Sequence, residues 1–173
     1  IGTQAFMSCI SLVSITIPKG VEAIGSRVFD YCGKLEDITI LSDCMLDINM
    51  FSGTKWLADR EAEDKDIIVN GILLKQNISM SEAAKHDILI PEGVKRIGSF
   101  AFNRSSIKGV IIPDEVTEIG DYAFADCNRL QNVVFGTGLK IIGTSAFSGC
   151  YKLTSLLLPD SVEHIGDMAF RFC

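Results

Sequence analysis

The sequence predicts a stacked solenoid, in which a short unit of chain repeats along one axis and each unit buries its apolar side against the next. Three observations predict it. An Ile-Gly pair followed by Ala-Phe, or once by Val28-Phe29, recurs at Ile1-Gly2, Ile24-Gly25, Ile97-Gly98, Ile119-Gly120, Ile142-Gly143 and Ile165-Gly166, and the last four copies start 22, 23 and 23 residues apart. All four prolines (Pro18, Pro91, Pro113, Pro159) occupy one position of this unit. Five of the six cysteines (Cys9, Cys32, Cys127, Cys150, Cys173) occupy another, three residues after the repeat phenylalanine.

Written from its strand onward, the unit is Leu-x-x-Ile-x-Ile-Pro-x-x-Val-x-x-Ile-Gly-x-x-Ala-Phe-x-x-Cys, and Leu153 to Cys173 spells most of it. Its opening apolar positions, such as Leu12, Ile15 and Ile17 or Ile107, Val110 and Ile112, alternate and are β-branched, which predicts one short strand per repeat in a parallel sheet. Proline then ends the strand, because it lacks the N–H that the ladder needs. Ile-Gly marks a corner where glycine tolerates a close approach or a positive φ. The residues that follow it, Thr3, Ser26, Ser99, Asp121, Thr144 and Asp167, carry side-chain oxygens suited to capping a helical turn. The Ala-Phe pair is expected on that turn, with the phenylalanines stacked in a core column. A degraded copy runs from Leu46-Asp47 to Met50-Phe51.

The cysteine position takes Thr54 and Ser105 in two repeats, so it favours something small. A free, buried thiol acting as a small hydrophobe fits this column. Disulfides between neighbouring coils fit the separation of stacked strands but not the parallel direction of equivalent side chains. Zinc ligands spread along an axis do not converge on one ion.

Residues 56–86 break the rhythm. An acidic, helix-compatible run from Ala58 to Asp64 leads to Ile67–Val69 and Ile72–Leu74, two apolar segments joined by Asn70-Gly71. Asn-Gly accepts positive φ at both turn positions, so a β-hairpin is expected over residues 67–74. Trp56, the only tryptophan, reads either as a plug over the seam where this insert leaves the stack or as an anchor for a partner. The carboxylates from Asp59 to Asp66 lack the spacing and glycine of a calcium loop and read as a solvated helix face. Asn77-Ile78-Ser79 and Asn103-Arg104-Ser105 are glycan acceptor tripeptides of a kind that also arises by chance.

These motifs resemble the leucine-rich repeat proteins of the BspA-like, or Treponema pallidum, class, over residues 1–55 and 86–173. The resemblance implies an α/β-type leucine-rich repeat solenoid. It would be right-handed, with a parallel β-sheet on the concave face, short helices or 3-10 turns on the convex face and the hairpin as an insert. It also implies a cell-surface or secreted protein associated with adhesion, binding a host or neighbouring-cell protein such as one of the extracellular matrix. The chain starts within one repeat and stops at the cysteine of another, so it reads as a single solenoid over residues 1–173 taken from a longer protein.

Composition narrows the function. Net charge is −6 and no basic run is interleaved with aromatics, which argues against nucleic acid. No stretch approaches the ~18 apolar residues of a membrane span. The glycines and cysteines belong to the repeat, and His86 and His164 lie in different repeats, so no nucleophile-base pair, carboxylate pair or ligand cluster is in view. The expected activity is therefore non-catalytic protein or peptide recognition, with no cofactor or metal; the alternative is a spacer that presents another domain. Within the strands, the outward positions form columns. One reads Thr16, Thr39, Leu89, Ile111, Val134, Leu157, and its last four members are apolar. Contiguous exposed apolar residues mark contact sites. The expected docking strip is Leu89, Ile111, Val134 and Leu157, flanked by Lys108, Gln131 and Asn132.

Overall fold

The computed structural model describes residues 1–173, the side chain of Met80 excepted. Along the chain come strands β1 (Ser14–Ile17) and β2 (Asp37–Ile40), a 3-10 turn at Ile48–Phe51, helix α1 (Lys55–Ala62), the hairpin β3 (Ile67–Val69) and β4 (Ile72–Lys75), and helix α2 (Met80–Ala83). They are followed by β5 (Asp87–Leu89), β6 (Arg96–Ile97), β7 (Gly109–Ile111), β8 (Glu118–Ile119), β9 (Asn132–Val134), β10 (Ile141–Ile142) and β11 (His164–Ile165). The molecule is a parallel β-solenoid in which equivalent side chains of successive coils lie in register.

The Leu-x-x-Ile-x-Ile segments pair as expected, but as two sheets. β1 pairs in parallel with β2, and β5, β7 and β9 form a separate three-stranded sheet. The insert separates them, and the Asn70 side-chain amide donates to Ile40 O at 2.8 Å, bonding a carbonyl on β2. Where one strand per repeat was expected, the last four repeats also pair at the Ile-Gly corner, through the two-residue strands β6, β8, β10 and β11. Together with the hairpin they make a six-stranded sheet in the order β11-β10-β8-β6-β4-β3. The corner glycines explain this closeness. A Cβ on Gly120 would stand 2.7 Å from Ser99 N, and one on Gly143 2.7 Å from Asp121 N. The corner thus requires the missing side chain for a close approach between coils, and no positive φ is involved.

The Ala-Phe segments differ from expectation in a second way. Only Ile48–Phe51 forms helix, where Asp47 replaces the glycine and accepts from Asn49 N at 2.8 Å. Elsewhere the chain runs as successive i to i+3 turns: Ala125 N donates to Tyr122 O, and Cys127 N to Phe124 O. The alternate amides point along the solenoid axis instead. Tyr122, Phe124 and Asp126 donate to Thr144, Ala146 and Ser148 of the next coil at 3.0, 2.7 and 2.7 Å. A helix would use those amides within its own turn, so coil-to-coil pairing displaces it. Turning every second amide outward takes non-glycine residues into the left-handed region, at φ 61 for Phe100, 55 for Tyr122 and 59 for Asp126. Among the six expected caps in the described residues, only Asp121 accepts an amide, from Thr144 N of the next coil at 2.7 Å.

The phenylalanine column is present but interrupted. Phe6, Phe29 and Phe51 stack at 5.7 and 6.2 Å and end on Trp56 at 4.5 Å; Phe102, Phe124, Phe147 and Phe170 stack at 4.9, 4.9 and 5.3 Å. The core divides at the same place. Ile72 and Leu74 belong to the N-terminal cluster and Leu73 to the C-terminal one, so alternation along β4 joins the two. The hairpin itself forms where expected, with Asn70 at φ 51 and Gly71 at φ 73, both left-handed as this two-residue turn demands.

Candidate functional site

The expected docking residues occupy one face of the three-stranded sheet. Leu89, Ile111 and Val134 stand directly opposite one another in register. They are 55%, 38% and 53% exposed, and Leu157, beyond the last strand, is 87% exposed. Gln131 and Asn132 are exposed beside them and Lys108 is half-buried. The neighbouring column is held by backbone contacts: Gln131 N donates to Lys108 O at 2.8 Å. At Gly109 any Cβ would run into the Asp87 carboxylate. Three of the four apolar side chains of the strip thus stand on a hydrogen-bonded ladder, and Leu157 lies beyond it.

Other residues singled out in the sequence resolve into structural roles. Trp56 is buried, its ring covered by the Arg60 guanidinium at 3.9 Å, so it extends the phenylalanine column into the insert and is no exposed anchor. The cysteines are free thiols. Cys32, Cys127, Cys150 and Cys173 each donate Sγ–H to the carbonyl of Phe6, Phe102, Phe124 or Phe147 in the preceding coil, at 3.0 to 3.3 Å. Burial pushes the Cys127 thiol up to about 12, and burial likewise raises Cys150, Cys32 and Cys173. Raised thiol pKa values suppress the nucleophilic thiolate. The acidic segment is solvated and ion-paired, Lys55 with Asp59 and Lys75 with Glu61. Among the described residues no three His, Cys, Asp or Glu side chains are placed to hold a metal. The acceptor amides of both tripeptides are engaged, Asn77 Nδ2 with Asp64 and Asn103 Nδ2 with Ala125 O.

Sequence reasoning missed a groove of 590 Å³ along the Ile-Gly corners, beside strands β8, β10 and β11. It is lined by corner residues of the repeats between Glu22 and Gly166 but by none of the insert, and none of the seven strip residues contributes to it. Glu118 and Asp47 are its half-buried and buried carboxylates. Burial raises the pKa of each, against the opposing pull of Arg96 on Glu118 and of the Asn49 hydrogen bonds on Asp47. The Phe100 and Tyr122 rings stack at 5.0 Å along its edge. No motif announces it, because its residues are separated by whole repeats and meet only through stacking.

Short parallel strands, a stacked aromatic column and a cysteine ladder define a leucine-rich repeat solenoid. A family model described as BspA type leucine-rich repeat region matches six copies over residues 1–65 and 77–173. The chain belongs to the BspA-type leucine-rich repeat family. The unmatched stretch, residues 66–76, is the hairpin. No curated protein matches the chain. Among solved structures, a leucine-rich cell surface protein from Faecalibacterium prausnitzii A2-165 is similar at 24% identity and TM-score 0.55, covering 99% of this chain and 54% of that one. A leucine-rich repeat protein from Bacteroides capillosus is similar at 35% identity and TM-score 0.52, covering 61% of this chain and 83% of that one. The pneumococcal vaccine antigen PcpA is similar at 23% identity and TM-score 0.52, covering 88% and 46%. The chain thus spans about half the length of the first and last of these. No helix of the described residues is long and apolar enough to cross a membrane.

Proposed function

We propose that this chain is a non-catalytic recognition module of a cell-surface or secreted protein, adhesin-like, that binds a host or neighbouring-cell protein through the strip Leu89, Ile111, Val134 and Leu157 with Lys108, Gln131 and Asn132 at its border. The observation that carries the reading is the exposure of four apolar side chains on successive coils, where the solvated face of a half-buried sheet is ordinarily polar. Two proteins of this fold are named for exposed settings, one as a cell surface protein and one as a vaccine antigen, and the setting proposed here is the same.

The test is a binding screen of the purified chain against extracellular-matrix proteins and cell-surface glycans. Ile111→Lys combined with Val134→Lys is expected to leave circular dichroism and melting unchanged, since both side chains point away from the core. The same variant is expected to abolish capture of whichever protein binds the parent chain. Unchanged affinity would remove the strip from the interface.

A further inference from the structure

The apolar strip lies between two edges of opposite charge. In its coils the stretches leading into the apolar segment, residues 83–86, 105–108, 128–131 and 151–154, each carry one lysine or arginine and no acid: Lys85, Lys108, Arg129 and Lys152. The stretches leading out, residues 91–93, 113–115, 136–138 and 159–161, carry no lysine or arginine, and their acids are Glu92, Asp114, Glu115 and Asp160. All of these side chains are exposed except Lys108, which is half-buried. Lys85 pairs with Glu82 at 3.1 Å and Asp114 accepts from Thr137. Among the described residues the others make no ion pair. Between the edges stands Asp87, whose carboxylate lies over Gly109. The two edges are held apart by the strip, so their charges are left for a third body to match.

The spacing of the row selects the shape of that body. Leu89, Ile111, Val134 and Leu157 run across the strands, one per coil. Stacked strands repeat at about 4.8 Å, and the phenylalanine rings of the same coils stack at 4.9, 4.9 and 5.3 Å. One turn of α-helix rises about 5.4 Å, whereas side chains on one side of an extended chain recur every ~6.6–6.8 Å. Over four successive coils a helix drifts out of step by about 2 Å and an extended chain by about 5 to 6 Å. Apolar residues three or four apart make one stripe of an amphipathic helix, which meets the four strip residues turn by turn. The edges then dictate its flanks, because like charges facing one another across an interface are costly.

We propose that the strip receives an amphipathic α-helix of a partner protein, lying along the solenoid axis, with acidic side chains on the flank facing Lys108 and Arg129 and basic ones on the flank facing Glu92 and Glu115. This rests on the strip being the contact surface, and adds the secondary structure and charge pattern of what docks there.

The test is fluorescence anisotropy, at low and at physiological salt, with labelled peptides of one composition and about 15 residues, four helical turns. The first carries leucines at helical spacing, glutamates on one flank and lysines on the other. The second keeps the leucines but mixes both charges on each flank, and the third spaces its leucines along one side of a strand. The first is expected to bind, and the others to bind at least about tenfold more weakly. Lys108→Glu with Arg129→Glu is expected to weaken the first peptide by a similar factor, as is Glu92→Lys with Glu115→Lys. All four substitutions together are expected to restore its affinity, because the helix then docks in the opposite direction. Equal binding of the first two peptides, or a quadruple variant no better than either double variant, would overturn the proposal. Tighter binding of the third peptide, lost with Ile111→Lys and Val134→Lys, would overturn the helix and keep the strip. Binding of the first peptide that survives Ile111→Lys and Val134→Lys would remove the strip itself. Binding by none of the peptides would overturn the helix, leaving the strip to the matrix-protein screen. Self-association of the chain that disappears with Ile111→Lys and Val134→Lys would make a second copy the occupant and likewise overturn the helix.

Discussion

Four of the cysteine thiols do at residue scale what no single repeat reveals: Cys32, Cys127, Cys150 and Cys173 each close the gap to the coil before by donating a hydrogen bond to a phenylalanine carbonyl. Because burial raises their folded pKa above the ordinary value of 9.0, the folded state binds more protons than the unfolded chain once pH exceeds that value. The stability they contribute is therefore complete below pH 9 and is lost as pH rises towards about 12, where Cys127 ionises. Melting temperature is expected to fall over that window, and Cys127→Ala with Cys150→Ala is expected to flatten the slope while lowering the plateau. A thiol-reactive dye at pH 8 is expected to label Cys9 in the native protein, to label the exposed Cys173 more slowly because its pKa is raised, and to reach Cys32, Cys44, Cys127 and Cys150 only in denaturant. Rapid native labelling of Cys127 would contradict the burial described here.

Among the elements, the insert begins where one residue changes. At the cysteine position of its coil stands Thr54, whose Oγ1 donates to Phe51 O at 2.6 Å and accepts from Leu57 N at 3.1 Å, capping α1. A thiol is a weaker acceptor and would leave that helix end unsatisfied. Thr54→Val is expected to cost about 0.5–2 kcal/mol, read as a shift in the urea midpoint, and Thr54→Ser to restore most of it. An unchanged midpoint for Thr54→Val would remove the cap from the account. The legibility of the elements followed their length. Ile15-Thr16-Ile17 alternates over enough residues to read as strand, and Asn70-Gly71 announces its turn by backbone chemistry. β8, at Glu118–Ile119, is too short to carry any period. The Ala-Phe turns looked helical because alanine and phenylalanine suit helix as well as turn, while left-handed backbone at Tyr122 has no signature in residue type. The strip was legible as a column of apolar letters; the groove, assembled across repeats, was not.

At the scale of the whole molecule, two stacks share one strand. Leu73 and Leu74 are both fully buried and face opposite clusters, so β4 couples coils that otherwise contact only their neighbours. Replacing either with alanine is expected to cost about 2–5 kcal/mol. The loss should be one-sided by hydrogen exchange: Leu73→Ala unprotects amides of the later coils such as Phe124, and Leu74→Ala those of the earlier ones such as Phe29. Equal loss on both sides for either variant would mean a single cooperative core.

The turn amides lean one way along the axis. Phe6, Phe29, Phe102, Phe124 and Phe147 all donate forward, to Val28, Met50, Ala123, Ala146 and Ala169, while the corner amides of Gly120, Gly143 and Gly166 donate backward. Each coil is thus fastened to the one before it at its glycine and to the one after it along its turn, so the stack has a polarity: its two ends are unlike, and an end that follows the last turn meets open donors.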